Sequence, residues 1–462
     1  MFRKSLNLIA ATALTALFTL AAASPEASAR KKVKAAPAVP EPAKVVTNDK
    51  GYYKDIFMDS GIGVSSRKDL PAARYLGLQM EAFISSETAE LSAADTILQN
   101  ELLISSALDE NGCLLYPDGA PRFRMVYMNG GNAMSLTHAL KDAGRQVFID
   151  FVHGGGSYVG SCAGAFFPCH YKLMDDGVKD YTPEYIGIWP GVVRNTYLTR
   201  TPTGVHIEPG SALLRYFDFG GDMYVDEVFH NGGCHAVEDT LWPANGEVLA
   251  RFDTSKIKTK RQFDKLPVIW SVKEKEEWGR VISCGSHPEG STYGDRLQLM
   301  SAMVLYALDG NAPARVKGSL VLGEPRVMDR ATHDRLPEFT RIGDKQYHHF
   351  TVDVPEGTDT LRMELRSVKG FEDYELYLFA NPGDFAFREN AKYMDISLKT
   401  DKVLEIPAPA PGKYFISVFC NTTVTSLDTE KGVRYTGRVD VLNGVPYIVG
   451  VNLPAPVEEA KK

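Results

Sequence analysis

The sequence predicts an α/β domain built on a mostly parallel sheet with helices on both faces, followed by an all-β sandwich. Two observations carry this. From about Gly51 to Gly310, short apolar runs ending in turns alternate with helical stretches, as expected of strands buried on both faces. After about residue 340 the rhythm changes to short alternating runs divided by Pro and Gly turns, the pattern of antiparallel strands.

The elements follow in order. Residues 1–29 carry Arg3 and Lys4, an apolar run from Leu8 to about Ala23, and Ala27-Ser28-Ala29 as a small-x-small site. They read as a secretory signal peptide cleaved after Ala29, with an apolar run too short to span a bilayer. Residues 30–49 are rich in Ala, Pro and Lys without an apolar period, and read as an extended linker. In the domain at 50–310, "KDIFMDSG" is a strand whose Asp59 caps a turn, and "DLPAARYLGL" is a helix with Asp69 as its cap. "FRMVYMNGG" is a strand ending in a double-glycine turn, and "SLTHALKDAGRQVFIDFVHGG" holds a helix closed by glycines. "SYVGSCAGAFF" and "GRVISCGSHPEGS" supply two more strand ends. Ligands of such sheets sit at the carboxyl ends of the strands, where both of these cysteine-bearing ends and the NGG turn would lie. Residues 311–339 are polar and contain Pro313, Pro325 and Pro337, so they read as a linker. The sandwich spans 340–452 and a disordered tail 453–462. Each half has enough apolar periodicity for a core of its own, so residues 50–312 and 338–455 are each expected to fold alone.

The chain has 462 residues, 44% hydrophobic and 24% charged, which is ordinary globular composition. Its net charge is −7; residues through Lys50 contribute +5, leaving −12 on the rest. An acidic body without a basic stripe excludes nucleic acid as a partner, and no segment after the leader is long and apolar enough to span a membrane. Six cysteines, at 113, 162, 169, 234, 284 and 420, are too sparse for a disulfide scaffold and include no CxxC pair.

One of them stands apart. Gly160-Ser161-Cys162-Ala163-Gly164 lies between an apolar strand and a helix start, and has the form G-x-C-x-G. It is the cysteine counterpart of the nucleophile elbow, in which flanking glycines remove Cβ atoms that would clash at a strained corner. The following helix would aim free N–H groups at the sulfur, and the Ala163 amide would donate to an oxyanion. The plain alternative is a buried structural cysteine in a glycine-rich turn. A thiol needs a base, and the base an orienting group. His287-Pro288-Glu289 follows the apolar pair Val281-Ile282 and offers both: His287 as base, Glu289 as the carboxylate that fixes its tautomer. In "VDEVFHNGGCHAVED", the H-x3-C-H spacing of His230, Cys234 and His235 lacks a fourth zinc ligand, so no metal is assigned. His230, Asn231 and His235 are instead candidates for a substrate rim, as is Asn132 after the double-glycine turn.

Taken together, "GGSYVGSCAGAFF", "GRVISCGSHPEGS", "VYMNGG" and "VFHNGGC" resemble the class I glutamine amidotransferase superfamily. Within it they are most similar to the amidotransferase-like domain at the N-terminus of some biotin–protein ligases. The resemblance covers about 50–310 and implies a flavodoxin-like sheet, Cys162 as nucleophile, His287 as base and Glu289 as its orienter. It also implies a second oxyanion-hole amide from the Gly130-Gly131 turn, at Gly131. Pro168 departs from the pattern and should shorten or kink the elbow helix. No synthase or ligase domain follows to receive ammonia.

The second half, with "VPEGT", "YELYLF" and "PAPGKYFISV", resembles the bacterial pre-peptidase C-terminal domain. That likeness implies a β-sandwich appendage of an exported hydrolase. Some members bind calcium, for which Glu372, Asp373 and Glu375 are the candidates here, against the simpler reading of a solvated loop. The expected function is an exported, periplasmic or secreted, cysteine hydrolase of amide or peptide C–N bonds. It needs no cofactor and acts on a small-molecule, peptide or cell-wall substrate. The alternative is a periplasmic binding or scaffold protein that keeps the fold without turnover.

Overall fold

Four parallel strands of the first half, Lys54–Asp59, Phe123–Met128, Ser157–Ser161 and Val281–Cys284, are buried nearly throughout, and their carboxyl ends lie on one edge, which places the candidate site. The computed structural model describes residues 48–60, 65–66, 69–83, 112–259, 263–332, 336–429 and 432–453. The expected signal peptide, the linker up to residue 47 and the tail from 454 lie outside the described residues.

The first half contains β1 (Lys54–Asp59), β2 (Met80–Phe83), β3 (Phe123–Met128), β4 (Ser157–Ser161), β5 (Cys169–Leu173), β6 (Lys179–Tyr181) and β7 (Trp189–Asn195). It continues with β8 (Thr201–Ile207), β9 (Tyr224–His230), β10 (Cys234–Val237), β11 (Gly246–Asp253), β12 (Pro267–Val272) and β13 (Val281–Cys284). Among the described residues nine of these form one sheet in the order β2-β1-β3-β4-β13-β12-β11-β8-β9. The strands from β2 to β13 run parallel, in the 2-1-3-4-5 order of flavodoxin-like folds. From β12 outward the pairing is antiparallel, an extension the sequence reading did not anticipate. A smaller sheet, β10-β7-β5-β6, follows the elbow.

Helices cover both faces. Ala133–His153 buries Leu136, Leu140, Phe148 and Phe151 against Phe123, Val126 and Tyr158. Gly294–Leu308 buries Leu299, Met300, Met303 and Val304 against Ile56, Met58, Val159 and Ile282 on the other. Each such large apolar side chain contributes about 1.5–3 kcal/mol of transfer free energy. Alternate residues of one strand feed the two cores: Tyr158 enters the first and Val159 the second. The expected helix at "DLPAARYLGL" is Pro71–Tyr75, but its N-cap is Leu70, not Asp69. Pro71 at the first helical position removes an N–H that a cap would otherwise have to satisfy.

The second half is strand-rich. It contains β14 (Val316–Ser319), β15 (Arg326–Met328), β16 (Tyr347–Val354), β17 (Thr360–Ser367), β18 (Leu376–Pro382) and β19 (Tyr393–Asp395). After these come β20 (Lys402–Pro407), β21 (Gly412–Cys420), β22 (Val424–Thr429), β23 (Gly432–Gly437) and β24 (Tyr447–Val451). Two sheets, β14-β16-β21-β18-β19 and β15-β24-β17-β20, make the sandwich, and β22 and β23 form a separate hairpin. Residues 311–339 are therefore not a plain linker, since β14 and β15 give one strand to each sheet.

The halves also share a core. One buried cluster runs from Phe57, Phe123 and Phe148 through Tyr435 and Val433 to Phe350 and Tyr447. The β22–β23 hairpin leans on β2, where the Tyr435 hydroxyl donates to Glu81 (2.7 Å) and Lys54 Nζ donates to Ser426 Oγ (2.8 Å). This opposes the expectation that each half folds alone, because cutting at the boundary would expose both apolar surface and buried charge.

Candidate active site

The elbow is built by close backbone approach. Cys162 has φ 49° and ψ −102°, a strained conformation for a side chain with a Cβ. A Cβ on Gly160 would fall 2.0 Å from the Gly164 carbonyl oxygen, and one on Gly164 would fall 2.2 Å from that of Met128. Glycine is required at both places because backbone, which cannot swing aside, occupies the space. The Tyr158 hydroxyl fixes the corner by donating to Gly164 O at 2.7 Å. The elbow helix, Ala163–Phe166, is a single turn, and the chain passes Pro168 into β5, as that proline led us to expect. Four residues make only a small macrodipole, so the help expected from a helix reduces to first-turn amides. The Ala163 amide, first in the helix, has no intrahelical acceptor.

β13 lies beside β4 with Cys284 opposite Ser161, and Cys162 N donates to Cys284 O at 2.9 Å. The two chains thus leave the sheet together, and His287 emerges next to Cys162. His287 Nδ1 bonds Glu289 Oε1 at 2.8 Å, and Glu289 is almost fully buried. Burial pushes the imidazole pKa down, but interaction first with the Cys162 thiol and then with Glu289 outweighs it and lifts the value to about 10. Among the described residues His287 Nε2 makes no hydrogen bond of good geometry, so its link to Cys162 is one of proximity and charge. The Cys162 thiol instead donates to the Asn231 carbonyl at 3.4 Å.

The double-glycine turn reaches the same point. A Cβ on Gly130 would fall 2.3 Å from Cε1 of His287, so glycine lets the turn touch the imidazole. Gly131 has φ 154° and leads into Asn132, whose side chain caps the long helix by accepting from Met134 N (3.0 Å) and Ser135 N (3.2 Å). Asn132 therefore already has a structural task at the position expected to be rim.

The other rim candidates separate. His230 is fully buried, with Nε2 on Thr196 Oγ1 (2.6 Å) and Nδ1 on Ser286 Oγ (2.9 Å). Burial, aided by the charges of His287 and His235, holds its pKa down at about 3. It braces the loop beneath His287 and does not face solvent. His235 is also buried, with Nδ1 on the Ala236 carbonyl (2.9 Å). Asn231, unlike these two histidines, is exposed, its side chain accepting from Arg200 N (3.2 Å) and its carbonyl against the thiol. Sequence reading missed Phe229, whose exposed ring stands 5.6 Å from that of His287. It also missed Asn129 and Ser65. Asn129 Nδ2 donates to Asp59 O (2.6 Å) and Ser66 O (2.8 Å), tying the segment after β1 to the turn. The asparagine of "VYMNGG" and the Gly/Ser composition after "FMD" were the available signals.

Among the described residues no group of three His, Cys, Asp or Glu side chains could hold a metal. The calcium candidates lie on an exposed stretch. Glu372 accepts from Gly370 N, Asp373 pairs with Arg438, and Glu375 accepts from Asn421, so the three carboxylates face separate partners. All six cysteines are free thiols and buried. Among the described residues no helix is long and apolar enough to cross a membrane.

The family described as "Biotin-protein ligase, N terminal" matches residues 120–303, a range that contains Gly131, Cys162, His287 and Glu289. A biotin–protein ligase of Schizosaccharomyces pombe is 23% identical over 234 residues, 48% of this chain and 35% of that protein. An uncharacterized protein of Chlamydia muridarum is 25% identical over 175 residues, 36% of this chain and 60% of that protein. The chain thus spans about a third to three fifths of these relatives. A solved structure of a glutamine amidotransferase aligns over 51% of this chain and 90% of its own, with 14% identity and a TM-score of 0.29.

Proposed function

We propose that the protein is an exported cysteine hydrolase cleaving an amide or peptide C–N bond through Cys162, His287 and Glu289. The observation that carries this reading is the pairing of a backbone-strained Cys162 (φ 49°) with an imidazole held at 2.8 Å by a buried carboxylate. In the proposed cycle the thiolate attacks the carbonyl carbon, and the Ala163 and Gly131 amides receive the oxyanion. His287 passes its proton to the leaving amine. It then takes a proton from water, whose oxygen attacks the thioester, so that the carboxylic acid leaves and the thiolate–imidazolium pair is restored. Glu289 holds the imidazole and balances its positive charge. Export is proposed from the signal-like N-terminal sequence. The sandwich is proposed as a pre-peptidase C-terminal-like appendage, since it brings no member of the set.

The contact between the thiol and the Asn231 carbonyl favours a second reading, a binding or scaffold protein whose nucleophile stays covered. One experiment separates the two. Wild type, Cys162→Ala and His287→Ala are treated with a panel of thiol-directed acyl probes, then profiled against amide and peptide libraries. The hydrolase reading expects acylation and turnover in wild type alone. Turnover surviving Cys162→Ala would place the chemistry elsewhere, and no acylation in wild type would favour the scaffold.

A further inference from the structure

Glu289 Oε1 does not serve His287 alone. The Ser65 hydroxyl donates to that same oxygen at 2.5 Å, across 224 residues of chain. Ser65 also clasps the double-glycine turn from both sides: Gly130 N donates to its hydroxyl (3.1 Å), and its own N–H donates to Gly130 O (2.9 Å). Its backbone is fixed in turn, because Asn129 holds Ser66 O and Asp59 O. Asn129 O in addition accepts from Gly164 N (3.1 Å), at the elbow itself. One hydroxyl thus joins the carboxylate behind the base to the turn that would receive the oxyanion. The other carboxylate oxygen, Oε2, is buried without a partner among the described residues, so Ser65 and His287 together set how Glu289 is turned.

We infer that Ser65 is a positioning residue of the site, coupling the orientation of Glu289 and His287 to that of the Gly130-Gly131 turn. The inference rests on the reading of Cys162, His287 and Glu289 as a reactive set. It adds a fourth member from the segment after β1, at the β1/β3 switch point of the parallel strands. The Ser65 hydroxyl accepts the Gly130 N–H, so of the two amides of the turn that of Gly130 is already engaged. Ser65 is exposed at the surface with its hydroxyl turned inward, so small substitutions there should not disturb the core.

The test uses Ser65→Ala and Ser65→Thr in the full chain, with two readouts. The first is the titration of the His287 ring followed by NMR, which needs no substrate. Losing the hydroxyl lets Glu289 turn away, and the midpoint should fall by about one pH unit. Ser65→Thr, which keeps the hydroxyl, should restore it. The second readout compares the Cys162 reaction with an acyl probe, which develops an oxyanion, and with iodoacetamide, which does not. Acylation should fall about 10- to 100-fold in Ser65→Ala, and alkylation by no more than about threefold. A His287 midpoint unchanged in Ser65→Ala overturns the inference, as does an equal loss of both reactions. If wild type takes no acyl probe, the hydrolase reading fails, and the titration alone decides the role of Ser65.

Discussion

Arg122 and Asp344 meet across the two halves of the chain in a two-pronged pair, Nε to Oδ1 and Nη2 to Oδ2, both at 2.8 Å. Both side chains are almost completely buried, and the remaining guanidinium nitrogen donates to Tyr435 OH and Cys113 O. Removing one partner strands a charge in the core. Asp344→Ala should destabilise the protein by about 3–5 kcal/mol in urea denaturation. Unfolding should stay a single transition by both fluorescence and circular dichroism. Separate transitions for the two halves would contradict the shared core.

The thiols should differ sharply in reactivity. Burial pushes the pKa values of Cys169, Cys234, Cys284 and Cys420 up, so they stay protonated at neutral pH. Cys162 instead lies beside an imidazole held positive. Peptide mapping after brief iodoacetamide treatment of the native protein should find Cys162 modified well ahead of Cys420. Equal rates would mean that the elbow does not activate its sulfur.

Two groups of histidines predict a stability plateau with opposite edges. His287 is lifted to about 10 from an unfolded value of 6.5. Its contribution is complete below about pH 6.5 and is lost as pH rises through about 10. Cys162→Ala removes the largest raising influence, so its stability should decline less over that range. On the acid side, burial holds His230 and His349 at about 3. The unfolded chain binds those protons from about pH 6.5 downward while the fold does not, so stability falls as pH drops toward 3. His349→Gln should flatten that acid slope in denaturation measured from pH 7 to pH 4.

The elbow glycines give a steric prediction. Gly164→Ala would drive a methyl group against the Met128 carbonyl, a backbone atom that cannot rotate away. We expect a loss of about 1–3 kcal/mol or more, together with slower Cys162 alkylation. Gly177→Ala, at a turn (φ 84°) with nothing within 4 Å, feels only backbone strain and should leave Cys162 untouched.

The grouping of Cys162 with His287 and Glu289 was legible because its signals are local. G-x-C-x-G occupies five residues and His-Pro-Glu three, and each ends an apolar strand whose partner strand is equally apolar. The parallel core of the sheet was legible for the same reason. The antiparallel extension was not, since β12 (PVIWSV) is buried along its whole length and gives no hint of its direction. β14 and β15, four and three residues long, are shorter than any period that could announce them. Ser65 and the Arg122–Asp344 pair depend on contacts 224 and 222 residues apart, and such pairing leaves no trace in a window of sequence. The histidines near "VFHNGGC" misled because a polar residue at a strand end reads as exposed. His230 is buried because two hydroxyls satisfy both of its nitrogens.

The hairpin that leans on β2 has a consequence for solubility. Among the described residues β2 is the last strand on its side of the nine-stranded sheet, and such a margin presents unpaired amides and carbonyls that another copy could extend. β23 packs against β2, and Tyr435 anchors it there through Glu81. The hairpin thereby holds β2 in place, and a loosened β2 would offer its margin to self-association. A variant that loosens the hairpin, such as Tyr435→Ala, is expected to form soluble oligomers and then precipitate on concentration. Light scattering would detect this before any change in Cys162 labelling.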